Sequence, residues 1–434
     1  MPVYKNNHYV PQWYQEGFIP PDQTVRNLLY LDLKPDTFIT SDGRVITDRG
    51  LKTKGASKCF SEDDLYTRWF GSERNTQVED LFFGGIDRSA IESVRYFENF
   101  DHTEISYDAY RNMMPYLGAQ RVRTPRGMSW IGSELGIDDK NKLLEAMGFM
   151  RNHYSAVWSE CIWQVADADL SETKFIISDN PVTVYNREIG THNSTWHRDK
   201  SDPDPTLMGS HTIFPLSMNK ILILTHPGWA KNPFQNGMKR RPNVNPYRPT
   251  VFNYTQIQVG RHLSEEEVRQ MNFILKSKAQ RYVAAYKEDW LFPERYINPN
   301  DWKNFGDGLL MLPDPRSLNI GGEVFIGFNN GTTYAQDQWG RPPSDSQPSR
   351  VEFDTLHRIQ GIFANRFGAV RRGRSLEFGS LEDAEDSPNM HEYYLSLYKP
   401  RGSEAKRLKE QQRNQHKKTP NKDLRNCTRR FRIK

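Results

Sequence analysis

The sequence predicts an α+β fold, a mixed β-sheet covered by helices, and three observations predict it. Short runs of β-branched and apolar residues, among them Val25 to Leu33, Phe175 to Ile177, Val182 to Val184, His211 to Leu216 and Lys220 to Leu224, have the length of strands. Longer stretches carry apolar residues at three- and four-residue spacing. The foremost is Asp138 to Ala168, where Leu144, Met147, Met150, Tyr154, Val157 and Cys161 mark one seam. The third is size: 434 residues with 36% hydrophobic side chains suffice for a large core, and no repeat of roughly 20 to 50 residues points to a solenoid or propeller.

In chain order, Asn6 to Tyr14 is too aromatic for a loose end, and Pro11 keeps Val10 extended so that His8 and Tyr9 point to opposite sides. Val25 to Leu33 reads as a strand, and Thr37 to Thr53, with Asp42-Gly43 between β-branched residues, as a hairpin. Ser61-Glu62-Asp63-Asp64 has the acids of a helical first turn and predicts a helix towards Phe70. Helices are also predicted over Thr76 to Phe83, Arg88 to Phe97 and Tyr107 to Gln120, the last ended or kinked by Pro125. The seam that begins at Asp138 extends the longest helix to Ala168, with Gln164 near its end. After the corner Ser178-Asp179-Asn180-Pro181 and a polar loop, two short strands make a hairpin around Ser217-Met218-Asn219. Ser264-Glu265-Glu266-Glu267 has capping-box form and opens a helix through Tyr282. Beyond Trp290 the texture turns to Pro, Gly and Asp, with a hairpin signal at Val324 to Tyr334 and a linker at Pro342 to Ser349. The expected division is an α+β domain over 1–290, an irregular, loop-rich appendage over 291–398 and a basic, disordered tail over 399–434.

Composition removes several function classes. No apolar run approaches the ~20 residues that span a bilayer, so no membrane role is expected, and Met1 to His8 lacks the apolar core of a signal peptide. Cys59, Cys161 and Cys427 are odd in number and far apart, which argues against a disulfide framework and for a reducing, cytoplasmic setting. The net charge of +5 is unevenly spread. Lys399 to Lys434 holds 14 Lys or Arg against three acids, a net +11 that leaves −6 on the rest. Such a tail is either a solvated end or a non-specific anchor for nucleic acid or a nucleotide.

The chain has no G-x-G-x-x-G turn, no phosphate loop, no H-E-x-x-H, no C-x-x-C pair and no G-x-S-x-G elbow. What remains is a dispersed polar set in which each group stands near a proline: His8 and Gln12 around Pro11, Arg123 before Pro125, Asp179 and Asn180 before Pro181. Pro181 fixes the turn after an apolar strand, so Asp179 rides on a rigid strand end. On those four residues alone, an Asx-turn role is the better account of Asp179 and Asn180.

In order and spacing, His8-Tyr9-Val10-Pro11-Gln12, Arg123-Thr124-Pro125, Ser178-Asp179-Asn180-Pro181 and Phe214-Pro215-Leu216-Ser217 resemble the motifs of the DUF4238 family, with a weaker match over Asn272 to Val283. The resemblance spans about the first 285 residues. Gln15 stands where an apolar residue is usual, and Met218 where the hairpin often has proline. The family carries no assigned activity, so the resemblance implies a domain and a residue shortlist.

The chemistry of that shortlist suits phosphate. His8, Gln12, Arg123 and Asp179 are expected as the catalytic set of a phosphodiester hydrolase or toxin-like nuclease, the Asp and His handling protons and the Arg neutralising an anion. Tyr9, Asn180, Arg121 and Ser217 are expected to contact substrate, and Asp179, Glu79 and Asp87 are the candidate ligands for a divalent metal. Two other readings stand beside it. One is a non-catalytic interaction module with a structural polar core, favoured by the lack of a convincing carboxylate cluster; the other is transfer of a nucleotide or ADP-ribose group.

Overall fold

The structure, a computed structural model, describes residues 6–70, 73–75, 83–190, 202–231, 233, 236–241, 257–308, 310–313, 323–327, 329, 333–337 and 359. β1 (Asn6–His8) and the short α1 (Gln12–Glu16) lead into β2 (Asn27–Asp32), β3 (Thr37–Ile39), β4 (Val45–Thr47), β5 (Leu51–Gly55), β6 (Ser61–Asp63), β7 (Arg68–Phe70) and β8 (Glu73–Asn75). A helical run follows, α2 (Gly85–Glu98), α3 (Tyr107–Val122), α4 (Pro125–Leu135) and α5 (Lys140–Ser159). Next come β9 (Ile162–Asp167), β10 (Ile177–Ser178), β11 (Thr183–Asn186), β12 (Ser210–Pro215), β13 (Lys220–Thr225) and the short α6 (Pro227–Lys231). β14 (Gln258–His262), α7 (Glu265–Ser277), β15 (Tyr282–Ala285), β16 (Glu323–Gly327) and β17 (Thr333–Asp337) close the described elements.

The fold is α+β, as the sequence predicts, but the strands expected in one sheet divide between two. An antiparallel sheet has the order β10-β15-β2-β5; a mixed five-stranded sheet has the order β11-β12-β13-β9-β14, with β14 parallel to β9. The polar corner at 179–182 is the place where the chain leaves one sheet for the other. Pro181 has no N–H to offer a ladder, so β10 cannot run on into β11.

Helices α2, α3 and α5 cover one face of the five-stranded sheet. Phe97 and Tyr110 meet Trp163 at ring distances of 5.0 and 5.8 Å, Tyr116 meets Phe214 at 6.1 Å, and Trp158 Nε1 donates to Thr212 Oγ1 at 2.9 Å. The opposite face packs on residues 302–312. Tyr185 lies 4.9 Å from Trp302, and Thr225 Oγ1 donates to the Met311 carbonyl at 2.6 Å. Trp302, Phe305, Leu310 and Met311 join the same apolar core, which therefore continues past residue 290.

Four elements differ from the sequence expectation. Ser61 to Asp63 is not a helix start but a strand paired with β1, and Phe60 and Asp64 on either side have φ of 51° and 57°, outside the helical region. The long helix stops at Ser159. Ile162 to Asp167, buried on both faces, becomes a central strand, because its pairing with β13 and β14 outweighs a seam that happens to continue to Cys161. Pro125 starts rather than ends a helix, as the first residue of α4 after an N-cap at Thr124, whose hydroxyl accepts from the Gly127 N–H at 3.0 Å. The capping box at Ser264 is present, but α7 ends at Ser277 and Tyr282 belongs to β15, paired with β2 and β10. Residues 76–82, 342–349 and 361–434 lie outside the described residues, and with them most of the helix expected over Thr76 to Phe83, the linker and the tail.

Candidate functional site

Asp179 leaves the end of β10 and is buried. Its carboxylate accepts three backbone N–H groups of the turn into β15: Gln280 at 2.7 Å on Oδ1, Arg281 at 2.6 Å and Tyr282 at 2.8 Å on Oδ2. Burial pushes its pKa up to about 6, against the opposing pull of those three donors and of Arg126. Desolvation outweighs them. Asn180 is fully buried and bridges, its Oδ1 accepting from Arg121 Nη1 at 3.1 Å and its Nδ2 donating to the Lys278 carbonyl at 3.0 Å. Asn272 on α7 does similar work beside it. Its side chain accepts from Ile176 N–H at 3.1 Å and donates to the Lys174 carbonyl at 2.9 Å, in place of a strand partner.

The arginines are placed by the tight passage from α3 to α4, where only a glycine fits: a Cβ on Gly127 would stand 2.0 Å from the Arg121 carbonyl oxygen. Arg121 also donates to the Val182 carbonyl at 3.3 Å, and its Nη2 lies 2.8 Å from Asp202 Oδ2. Arg126 Nε donates to the other Asp202 oxygen at 2.8 Å. Burial raises the Asp202 pKa, but Arg121, Arg126 and Lys278 pull harder and hold the carboxyl below its ordinary value. The same burial, opposed by Asp202, brings Lys278 down to about 8. Arg123 turns elsewhere. It donates through Nε to Gln120 Oε1 at 2.7 Å and through Nη1 to both oxygens of Asp87 at 2.8 Å, under the rings of Phe83 and Tyr116.

The N-terminal motif is clamped to the same core by its backbone. Gln120 Nε2 donates to the Tyr9 carbonyl at 2.9 Å, Gln15 Nε2 donates to the Val10 carbonyl at 2.9 Å, and Tyr9 N–H reaches the Phe60 carbonyl at 3.1 Å. Burial, then the charge of Asp179, raises the Tyr9 hydroxyl pKa. His8 and Gln12 instead lie at the surface. His8 Nε2 donates to the Ser57 carbonyl at 3.1 Å, and Gln12 Nε2 is 3.5 Å from the same nitrogen. Ser217 belongs to the β12-β13 turn, where its Oγ accepts from Asn219 N–H at 3.2 Å. The structure thus joins Asn180 to Arg121 and Asp179 to the turn into β15, sets Arg123 with Asp87 and, through Gln120, with the Tyr9 carbonyl, and leaves His8, Gln12 and Ser217 apart. Glu79 lies outside the described residues.

For a metal, the described residues offer one cluster, Asp167, Asp169 and His262, with ligand atoms within 4.8 Å of one another. It contains none of the expected ligands. Lys220 Nζ already stands 3.5 and 3.4 Å from the two carboxylates, and His262 Nδ1 is 2.6 Å from Asp167 Oδ1, so an ion-pair network explains the cluster without a metal.

Sequence reasoning missed Asp202, Lys278 and a cleft of about 370 Å³. Trp130, Glu134, His153 and Tyr154 of α4 and α5 line it together with a wall that holds Asp204 and Arg240. That wall is braced by Arg241 N–H to the Thr206 carbonyl and Met208 N–H to the Lys239 carbonyl, both 2.8 Å. Nothing periodic marks 202–206 or 239–241. The seam residues Met150 and Tyr154 were legible as core, but not as the edge of a cavity.

Residues 150–289 match the family model described as a protein of unknown function (DUF4238). That span contains the Asp179 corner, the hairpin and the Asn272 helix; it is narrower than the motif resemblance and leaves out His8 and Arg123. No curated protein and no solved structure matches the chain.

Proposed function

We propose that this chain is a binding module whose polar corner is a structural latch between two sheets. One observation carries the reading: the acceptor and donor groups of Asp179 and Asn180 are taken up by protein partners, three backbone amides on the one, Arg121 and a carbonyl on the other. A carboxylate so occupied, and buried, has no reach to a substrate proton. In the same reading the basic segment from Lys399 to Lys434 anchors the module to nucleic acid through non-specific phosphate contacts.

Phosphodiester hydrolysis is the second reading, and what favours it is the surface pair of His8 and Gln12, a partly exposed imidazole beside an amide. Nucleotidyl or ADP-ribosyl transfer would draw on the same groups. The test is turnover of bis(p-nitrophenyl) phosphate and of single- and double-stranded oligonucleotides, with magnesium and with manganese, by the wild type, His8→Ala and Asp179→Asn. The binding reading expects all three to match the buffer control. A wild-type rate that falls at least tenfold in either variant, with an unchanged circular dichroism spectrum, overturns it.

A further inference from the structure

The cleft beside α4 and α5 is not used by the latch. Its volume, about 370 Å³, sits at the low end of the roughly 300–1,000 Å³ of small-molecule sites, room for one planar group the size of a nucleobase or nucleoside. The side formed by α4 and α5 carries Trp130, Met150 and Tyr154 with Glu134 and His153 among them. Tyr154 is buried and already stacked on Trp158 at 5.5 Å, so it makes the floor, and its ring lies 6.0 Å from that of Trp130 at 49°. The half-buried Trp130 ring is the face on which a planar group can stack, which supplies binding energy without selecting a base.

The opposite wall selects. Asp204 presents a carboxylate whose Oδ1 accepts the Thr206 N–H at 2.8 Å, while its Oδ2 lies 3.5 Å from Arg240 Nη2, with 28% and 79% of the two side chains exposed. A carboxylate accepts at about four lone-pair positions, so capacity is left. An acceptor next to a cationic donor is the complement of an edge that carries N–H donors beside a carbonyl oxygen.

We infer that this cleft binds a planar heteroaromatic of nucleoside size through an N–H and carbonyl edge of the guanine type, stacked on Trp130 and read by Asp204 and Arg240. The inference rests on the binding-module reading and names its ligand class. Asp204 takes the ring N–H and amino group, Arg240 the carbonyl oxygen.

The test is calorimetric titration of the full chain with guanosine, 1-methylguanosine and adenosine as probes. Guanosine is expected to bind saturably, and both other nucleosides at least tenfold more weakly, since one lacks the ring N–H and the other reverses the edge. Asp204→Asn, which keeps the turn, and Arg240→Ala, at an exposed position, are each expected to weaken guanosine about tenfold. Absence of saturable guanosine binding, equal binding of 1-methylguanosine, or indifference to both substitutions overturns the assignment. The nucleoside pair needs no variant, so a misfolded mutant leaves the result decisive. Phosphodiester turnover with intact guanosine binding would sink the non-catalytic reading and keep this one.

Discussion

Replacing Asp179 with asparagine keeps the shape of the side chain and removes its charge, which separates two forces that oppose each other at the corner. Three amide donors favour the carboxylate; complete burial disfavours it more, and the carboxyl stands at about 6 against an ordinary 3.8. At about 1.4 kcal/mol per pH unit, that difference is worth about 3 kcal/mol. The folded value is raised, so the group's contribution to stability is full below pH 3.8 and is lost as pH rises through 6. Asparagine does not titrate, but it sets an N–H₂ donor against at least one of the three amide donors, at a cost of roughly 1–3 kcal/mol. At pH 4 Asp179→Asn should therefore be the less stable protein by about that amount. By pH 7 the wild type should have lost about 3 kcal/mol relative to it, closing or reversing the gap. Urea denaturation of both proteins at half-unit steps from pH 4 to 7 measures the difference directly, and other titrating groups cancel. A difference that stays flat, or that grows in favour of the wild type as pH rises, would show the amides outweighing burial and refute the reasoning.

Asp202→Asn leaves Arg121 and Arg126 buried beside a neutral group, and a loss of about 3–5 kcal/mol in urea denaturation at neutral pH is expected; a loss under 1 kcal/mol would mean the pair is solvated. Gly127→Ala drives a methyl into the Arg121 carbonyl, and because backbone on both sides must shift the cost should reach about 3 kcal/mol, read as a lower melting temperature or loss of soluble protein. Truncation after Pro400 should leave the melting temperature nearly unchanged while flattening the salt dependence of nucleic-acid binding; an unchanged slope would assign the tail to solubility.

Much of the fold was legible where a local signal and the tertiary outcome agree. The β12-β13 hairpin, the turn of positive φ at Gly43 between β3 and β4, and the capping box of α7 lie where the sequence placed them. It misled where pairing partners decide. Ile162 to Asp167 continues a helical seam by spacing and becomes a strand only because β13 and β14 flank it. Ser61 to Asp63 carries helix-start acids and is held extended by β1, whose Asn6 to His8 pair with it from the start of the chain. The site was legible in part by residue type, since Asn180 and Arg121 do meet, but not by role. Whether a polar group faces a cavity or a backbone amide depends on where a distant turn such as 280–282 docks, and Asp202 sits in a loop without periodicity that no spacing argument reaches.

The latch and the cleft are adjacent through Arg121. One amino group holds Asn180 Oδ1 and the Val182 carbonyl, which ties α3 to the corner where the chain changes sheets. The other faces Asp202, two residues before the cleft wall that begins at Asp204. Burial raises the hydroxyl pKa of Tyr154, the floor of the cleft, and Arg121 opposes that rise from close by. A single buried guanidinium therefore touches the sheet junction, Asp202 and Tyr154 of α5. Cations in such positions cost desolvation and rarely improve stability over an apolar core of equal volume. What a guanidinium supplies that leucine does not is several directed bonds in one plane, and here those bonds tie α3 to the corner after β10 and to the segment that leads into Asp204. Binding geometry held in this way costs little to form when a ligand arrives, because the walls are already set.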